Sequence, residues 1–364
     1  MIDEIRAAVR ELCGRFPPEY WRRLEPDRYP EDFVRALTDA GWLAALIPEA
    51  YGGGGLGLAE ASVVLEEVNR SGGNAAAAHA QMYVMGTLLR HGSEEQKQRY
   101  LPRIAAGELR LQAFGVTEPN AGSDTRSLET RAEPEGGHWL IHGQKVFTSR
   151  AAHSDLMLVL ARTAAGLSTF LVELPDPHVE IRPLPTMMNH ATTVVFLEGA
   201  PAELVGEDGQ GFRQIVDGWN AERILIAAEC VGDGRWFVEK ASRYASEREV
   251  FGRPIGANQG VQFPIARAHV AVEAADLMRR RAAGLFDAGE PCGAEANMAK
   301  LLASDASWAA ANACLDAHGG WGFATEVDVE RKFRETRLYQ VAPVANNLVL
   351  AYVGHQLLGM PKSY

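Results

Sequence analysis

The spacing of hydrophobic residues divides the chain into three stretches. From residue 1 to about 110, apolar side chains recur at three- and four-residue intervals between Gly and Pro residues, which predicts amphipathic helices. From about 111 to 205 the apolar residues alternate or form short runs, which predicts β-strands separated by turns. From about 210 onward the helical spacing returns, in longer segments.

The order of these stretches predicts an α+β fold that is mainly α. We expect three domains, which are a helical domain at 1–110, a compact β domain at 111–207 and a second helical domain at 208–364. The regular alternation of strands and helices that is typical of a doubly wound sheet does not occur. The last helices are rich in alanine and apolar around much of their circumference. This predicts a helical bundle, part of whose surface meets another subunit.

Composition narrows the class of protein. With 47% hydrophobic and 23% charged residues among 364, the chain is typical of a folded globular protein and not of a disordered or fibrous one. A net charge of −11 argues against a broad nucleic-acid-binding face. We expect no membrane span, because no run of about 18 apolar residues occurs. Four scattered cysteines without a C-x-x-C pair predict no disulfide framework and a reducing, cytoplasmic location.

Two short motifs formally match ligand-binding patterns, but in both cases a structural role is favoured over ligand binding. Gly52, Gly54 and Gly57 satisfy G-x-G-x-x-G, but a helical segment and not a strand precedes them, which favours a turn between helices. His138 and His142 lie four residues apart on a predicted strand with no third ligand nearby, so we expect no metal site.

The most informative segment is FGVTEPNAGSD, at 114–124. A strand ends here in a loop of small, hydroxyl and acidic residues, which can offer N–H and O–H donors to an extended polar ligand. Alone, the segment is equally good as a surface turn. Four more segments follow it, namely GQKVFTS at 143–149, YASEREVFGRPI at 244–255 with Gln259 after it, HGGWG at 318–322, and RETRLY at 334–339.

Together and in this order, the five segments resemble the acyl-CoA dehydrogenase family, flavoenzymes of fatty acid metabolism that desaturate acyl-CoA thioesters. The resemblance covers essentially the whole chain, including PEAYGG at 48–53. It implies a β-barrel-like central domain and a four-helix C-terminal domain. It also implies FAD as the cofactor, an acyl-CoA substrate, electron-transfer flavoprotein as the electron acceptor, and a homotetramer built as a dimer of dimers.

The resemblance also implies which residues contact FAD. Thr117 corresponds to a contact at the pyrimidine edge of the flavin, Ser149 to a hydrogen bond at N5, and Phe147 to a wall against the ring. Ser123 in addition corresponds to a contact with the pantetheine arm of CoA, and Arg223 to a substrate-binding residue. The complete implied FAD set is Phe114, Val116, Thr117, Gly122, Ser123, Phe147, Thr148, Ser149, Arg248, Phe251, Gln259, Asp316, Gly319, Gly320 and Asn347.

Arg248 corresponds to the arginine that reaches the FAD pyrophosphate of a neighbouring subunit. A guanidinium group suits this task because it is planar, permanently charged and able to form two parallel hydrogen bonds. The alternative for Arg248 is a surface ion pair with Glu247 or Glu249.

The catalytic base departs from the commonest pattern of the family. The usual glutamate position falls on Pro343, and no carboxylate follows Glu335. Some members carry the base on an earlier helix, immediately before an arginine, which points to Glu222 here. The helical neighbours on the same face of the helix as Glu222 are largely apolar, and such surroundings raise the pKa of a carboxyl group; they are Ile215, Trp219, Ile226 and Glu229. The alternative is a Glu222–Arg223 pair that only orders the helix.

The expected reaction is FAD-dependent oxidation of an acyl-CoA to its trans-2-enoyl-CoA, with Glu222 as the base and hydride transfer to flavin N5. The missing glutamate at 343 leaves open a non-redox elimination or a reductase reaction on an acyl-CoA. A flavoprotein without catalysis and an acyl-CoA oxidase are further alternatives. Chain length stays open, because the residues that could line the acyl pocket could equally be core residues; they are Met82, Met85, Leu88 and Trp219.

Overall fold

The structure is a computed structural model that describes residues 1–363, except for the side chain of Asp217. The helices are α1 Ile2–Gly14, α2 Pro18–Leu24, α3 Glu31–Asp39, α4 Leu58–Arg70, α5 Ala76–His91, α6 Glu94–Ala105, α7 Gly211–Glu247, α8 Gln259–Asp287, α9 Gly293–His318, α10 Val329–Arg337 and α11 Asn346–Tyr352. The strands are β1 Leu111–Gly115, β2 Arg131–Glu135, β3 His138–Ser149, β4 Leu156–Arg162, β5 Leu167–Glu173, β6 Val179–Pro183, β7 Thr192–Val205, β8 Glu249–Val250 and β9 Arg253–Pro254.

The described elements confirm the predicted fold class, with N-terminal helices, a central sheet and long C-terminal helices. The chain forms two compact units. One, here called the helical unit, comprises residues 1–23, 57–75 and those from 220 onward. The other, the sheet unit, comprises residues 24–56 and 76–219. Among the described residues, no helix is both long and apolar enough to cross a membrane. The division into three domains stays a prediction.

In the sheet unit, seven strands pair in one sheet, and five of them form a closed circuit. From β4 the pairing passes through β2, β3, β7 and β5 and returns to β4, as in a barrel, while β1 and β6 join at β4 and β7. Strand β4 explains why its sequence is a continuous apolar run and not an alternation of apolar and polar residues. Met157 and Val159 enter the core between the strands, whereas Leu156 and Leu158 pack with α5 and α6. Both faces of β4 are therefore covered, and nearly every position must be apolar.

A buried ion pair fixes the loop that follows β1. Lys145 on β3 is fully buried, and its Nζ donates hydrogen bonds to Glu118 Oε1 at 2.8 Å and to the Val116 carbonyl at 3.1 Å. The Glu118 carboxylate also accepts the backbone N–H groups of Glu129 and Thr130, at 2.6 and 2.9 Å. Burial raises the pKa of Glu118, but these hydrogen bonds outweigh it and leave the pKa lowered. The loop is thus held at both of its ends.

In the helical unit, four helices contribute to one core. Phe237 on α7, Ile265 on α8, Cys314 on α9 and Val329 on α10 belong to a single buried cluster whose other buried members are alanines. Alanine allows these helices to approach closely, which explains the alanine-rich composition of the C-terminal segments. All four cysteines of the chain are buried free thiols.

Arginines and carboxylates cross-link the N-terminal helices to the C-terminal ones within this unit. Glu66 on α4 is completely buried, and its two oxygens accept hydrogen bonds from Arg6 on α1 at 2.6 and 2.8 Å. Arg235 on α7 and Arg279 on α8 bind the same carboxylate. Asp276 on α8 accepts further bonds from Arg235 and Arg279, both at 2.9 Å. We call these five residues the Glu66 network.

Acid should remove part of the stability that the Glu66 network provides. Burial raises the pKa of Asp276, but attraction to Arg279 and Arg235 outweighs it and lowers the pKa to about 2, from an ordinary 3.8. A carboxyl whose pKa is depressed on folding stabilises the protein above about pH 4 and loses that effect as the pH falls to about 2. We expect Asp276→Asn to lower the free energy of unfolding at pH 7 by at least about 2 kcal/mol and to flatten the acid limb, which is the fall of this free energy between pH 4 and 2.

Denaturant titrations across pH measure both effects. The exposed Glu290→Gln serves as control, and an unchanged acid limb in Asp276→Asn would contradict the prediction.

The Lys145–Glu118 pair makes a second stability prediction. We expect Lys145→Met to cost about 3 kcal/mol, because it leaves the buried Glu118 carboxylate with backbone donors alone. Restoring neutrality in the double variant Lys145→Met/Glu118→Gln should recover part of this loss. The control is Arg131→Met, which removes an exposed pair with Glu133 and should cost less than about 1 kcal/mol. Equal losses in the two single variants would show that burial of the pair has no special effect.

Candidate active site

One group of the predicted FAD contacts lies where β1 and β3 end in the sheet unit. The Val146 N–H donates to the Thr117 carbonyl at 2.8 Å, and Lys145 binds the Val116 carbonyl. These bonds bring Phe114, Val116 and Thr117 next to the segment 147–149. The structure therefore places together two segments that are about thirty residues apart in the sequence.

The end of β3 carries an exposed aromatic ring in an unusual backbone conformation. Phe147 is 63% exposed and has φ +57°, in the left-handed region that bulky residues rarely adopt. The β3–β7 register shifts between Lys145 and Thr148, which accounts for this local bend. Strained backbone conformations of this kind are concentrated at functional sites. An exposed phenyl ring can stack against a planar ligand.

The neighbouring positions differ in what they can offer a ligand. Ser149 is half-buried. The Thr148 side chain, in contrast, is buried, and its carbonyl accepts a hydrogen bond from Thr193 Oγ1 at 2.6 Å. Gly122 and Ser123 are exposed, and Gly122 has open space where a Cβ would lie. A loop with free space beside its backbone and hydroxyl donors has the chemistry that FAD requires.

A second group of predicted contacts lines a pocket of about 550 Å³ in the helical unit, where α7 and α9 end. Arg248, Asp316, Gly319 and Gly320 all line it. Gly319 has φ +55°, and a Cβ at either glycine would meet no atom within 4 Å, so the backbone is open to a ligand. Among the described side chains no carboxylate lies within 4.0 Å of Arg248, so the alternative surface pair with a neighbouring glutamate is not formed.

Three predicted cofactor contacts lie outside the lining of this pocket. Phe251 is fully exposed in the turn between β8 and β9, with φ +53°. Gln259 is exposed at the start of α8, and Asn347 is exposed on α11. Their roles in cofactor binding stay predictions.

Glu222 and Arg223 form a third group, on α7 in the helical unit. Glu222 is only 6% exposed, and Ile226 and Glu229 on the same face are buried as well. Arg223 Nη1 donates to Asn220 Oδ1 at 3.3 Å. Burial lowers the pKa of the Arg223 guanidinium, and attraction to Glu222 opposes this change. The pattern on the helix therefore identified a carboxylate that is withdrawn from water and accompanied by a buried cation.

The length of α7 separates the last two groups. Glu222 and Glu247, the final residue of α7, are 25 residues apart on one helix, which corresponds to about 37 Å at 1.5 Å per residue. Arg248 follows directly after Glu247.

Sequence reasoning missed a buried lysine near the segment that carries Pro343. Lys300 on α9 is fully buried and donates hydrogen bonds to the Val344 carbonyl at 2.7 Å and to Asn346 Oδ1 at 2.6 Å. Burial lowers the pKa of Lys300 to about 8. The only signal in the sequence was a single lysine in the apolar run ANMAKLLA, at 296–303.

The possible acyl-pocket residues divide into two kinds. Met82, Met85 and Leu88 are buried on α5, and the last two pack in the core cluster beside β4, which favours their interpretation as core residues. Trp219 is half-buried, lies 6.2 Å from Phe212 between ring centroids, and packs with Phe114 at the edge of the β1 loop. Of the four, Trp219 is the one placed beside the predicted FAD contacts of the sheet unit.

Comparisons with known proteins identify the family of the chain. Three family models match in order, which are the acyl-CoA dehydrogenase N-terminal domain at 2–108, middle domain at 113–199 and C-terminal domain at 209–355. An acyl-CoA dehydrogenase of Mycobacterium tuberculosis is 36% identical, over 99% of this chain and 96% of its own length.

Two solved structures show the same fold over nearly the full chain. A glutaryl-CoA dehydrogenase in complex with glutaryl-CoA is 31% identical, with a TM-score of 0.92 over 100% of this chain and 96% of that one. A chain from work on the electron transferring flavoprotein of Acidaminococcus fermentans is 28% identical, with a TM-score of 0.92 over 98% and 97%. The chain therefore belongs to the acyl-CoA dehydrogenase family, as an FAD-dependent oxidoreductase that acts on the CH–CH group of acyl-CoA thioesters.

Proposed function

We propose that the protein oxidises the Cα–Cβ bond of an acyl-CoA thioester to trans-2-enoyl-CoA, with Glu222 as the catalytic base. The Cα–H and Cβ–H bonds break, the C=C bond forms, and the Glu222 carboxylate takes the α-proton. FAD, when bound, would accept the β-hydrogen as a hydride at N5. The observation that carries this proposal is the burial of Glu222 beside Arg223, in a chain that has no carboxylate after Glu335.

The surroundings of Glu222 suit proton abstraction. A carboxylate withdrawn from water gains from taking up a proton, because burial disfavours its charged form. The buried Arg223 opposes this tendency, since a nearby cation stabilises the carboxylate before the reaction. A carboxylate in such surroundings can act as the general base that takes the α-proton of a bound substrate.

The cofactor contacts are proposed from the sheet unit of one subunit and the helical unit of another. Thr117 and Ser149 offer donors that stabilise negative charge on the flavin, and Phe147 offers an apolar wall. Thr148 takes part through its backbone, because its side chain is buried. Since about 37 Å of helix separates Glu222 from the Arg248 pocket, we propose that this pocket serves an FAD molecule held by a neighbouring copy.

A second copy also fits the exposed surface of α8. Phe263, Val270 and Leu277 repeat at seven-residue intervals and are 46%, 67% and 68% exposed. With Ala266, Ala271 and Ala274 they form an apolar stripe of the kind that covers a helix–helix interface, here called the α8 stripe. We propose a homo-oligomer in which a second copy covers it, with a dimer of dimers as the complete assembly.

We propose electron-transfer flavoprotein as the electron acceptor. The support is the similarity to the chain from the Acidaminococcus fermentans work on that protein. A second function, elimination or reduction on an acyl-CoA without net oxidation, is favoured only by the proline at 343, where many relatives carry their base.

Anaerobic titration with a panel of acyl-CoA thioesters tests the reaction. We expect one class of acyl chain to bleach the flavin absorbance stoichiometrically, and added electron-transfer flavoprotein to restore it. Bleaching identifies dehydrogenation and the substrate class together. A flavin that stays oxidised while a new CoA product forms would instead establish the elimination reaction.

Glu222→Gln tests the base. We expect the rate of flavin reduction by substrate to fall by about 10²–10⁴-fold while the bound FAD is retained, because an amide cannot accept the α-proton. Stopped-flow absorbance gives the rate, and the visible spectrum gives the flavin content. Glu239→Gln, at an exposed position of the same helix, should reduce its flavin normally. Normal reduction by Glu222→Gln would refute the assignment.

Val270→Glu tests the proposed assembly. A charge at the centre of the α8 stripe should dissociate the oligomer, and the affinity for FAD should fall with it, because the Arg248 pocket of the second copy is lost. Analytical ultracentrifugation and FAD titration of the apoprotein measure the two effects. Met187→Glu places the same charge at an exposed apolar position of the sheet unit and should change neither. An intact oligomer in Val270→Glu would exclude this interface.

A further inference from the structure

Arg126 lies three residues after Ser123 and is held against an aromatic ring. Its guanidinium carbon is 4.9 Å from the ring centroid of Phe212, in the first turn of α7. Phe212 is itself fixed, since it packs on a buried cluster that includes Ala121, Leu160 and Ile215. Stacking on a ring of fixed position restricts a side chain that is otherwise exposed.

The backbone at Arg126 is fixed as well. Arg162 Nη2 donates to the Arg126 carbonyl at 2.5 Å and to the Leu128 carbonyl at 3.2 Å. The short turn Thr125–Ser127 is closed by the Ser127 N–H, which donates to the Asp124 carbonyl at 3.0 Å. Both ends of the Arg126 side chain, its Cα and its guanidinium group, therefore have defined positions.

The Arg126 guanidinium has no carboxylate partner among the described side chains, whereas the similarly stacked Arg182 has one. Arg182 is also exposed and stacked, 4.6 Å above Phe196, but its nitrogens bind Glu180 at 2.6 and 2.8 Å. Among the described side chains no carboxylate lies within 4.0 Å of Arg126, and the adjacent Asp124 carboxylate binds Ser127 Oγ instead. The guanidinium thus keeps its hydrogen-bond donors for a ligand, and oxyanions are the ligands that it binds best.

We propose that Arg126 binds a phosphate group of CoA and makes the enzyme select CoA thioesters over thioesters that lack phosphate. This inference rests on the proposed function and on the contact of Ser123 with the pantetheine arm that the family resemblance implies. Three residues of chain span at most about 11 Å, so the Arg126 backbone is close to that arm. The phosphates of CoA lie at the end of pantetheine that is remote from the thioester, and the exposed Arg126 offers them a charge at the protein surface.

The experiment compares acyl-CoA, acyl-3′-dephospho-CoA and acyl-pantetheine, all with the acyl chain that reduces the wild-type flavin. We expect Arg126→Ala to raise KM for acyl-CoA about tenfold with kcat unchanged, the effect of one charge-assisted hydrogen-bonded contact. KM for acyl-pantetheine should not change. Added salt should raise KM for acyl-CoA in the wild type more than in the variant. An effect that disappears with acyl-3′-dephospho-CoA assigns the contact to the 3′-phosphate, and one that persists assigns it to the pyrophosphate.

Two further variants separate a direct contact from a structural effect. Arg182→Ala removes a stacked, exposed arginine elsewhere in the sheet unit and should leave all KM values unchanged. Arg126→Lys keeps the charge and should recover part of the affinity for acyl-CoA. Equal rises in KM for acyl-CoA and acyl-pantetheine, or no rise at all, would overturn the inference. A wild-type protein whose flavin none of the thioesters reduces would refute the proposed function instead, so the two failures are distinguishable.

Discussion

The helical unit depends on one buried carboxylate. Glu66 accepts hydrogen bonds from arginines on α1, α7 and α8, and α1 is nearly 200 residues or more from the other two helices in the sequence. A buried charge that loses its partner costs several kcal/mol, so these helices are stable only when assembled together. The Glu66 network thereby fixes α7, the helix on which Glu222 lies and after which Arg248 follows.

The sheet unit uses the same physical device on a smaller scale. The Lys145–Glu118 pair lies inside two of the segments that carry the family resemblance, VTEP and GQKVFTS. Both members are buried. They hold the β1 loop against the end of β3, so that Thr117, Phe147 and Ser149 have defined places. These two segments therefore contain both the predicted ligand contacts and the ion pair that positions them.

The length of α7 connects the fold to the proposed chemistry. The candidate base lies in the first half of the helix, and the C-terminal end of the helix, about 37 Å further on, leads to a pocket lined by arginine and glycine. In the proposed assembly one chain contributes to two active sites, to its own through Glu222 and to that of a neighbouring copy through Arg248. In the same proposal a second copy covers the apolar α8 stripe, so that each active site draws residues from two copies.

The sequence by itself determined the fold class and the family, and it supplied the candidate site residues as predictions. Helical and strand periodicity depend on which residues of a local segment are covered, and the binding motifs are short and continuous, so both are visible without a structure. Only the tertiary structure decided that α1 and α4 belong with the C-terminal helices, that the Thr148 side chain is buried, and that Met85 and Leu88 are core residues. It also decided the contacts of Lys300 and the stacking of Arg126 on Phe212. The reason is that a local pattern shows that a face is covered, whereas the covering partner comes from residues tens to hundreds of positions away and is selected by packing and charge pairing.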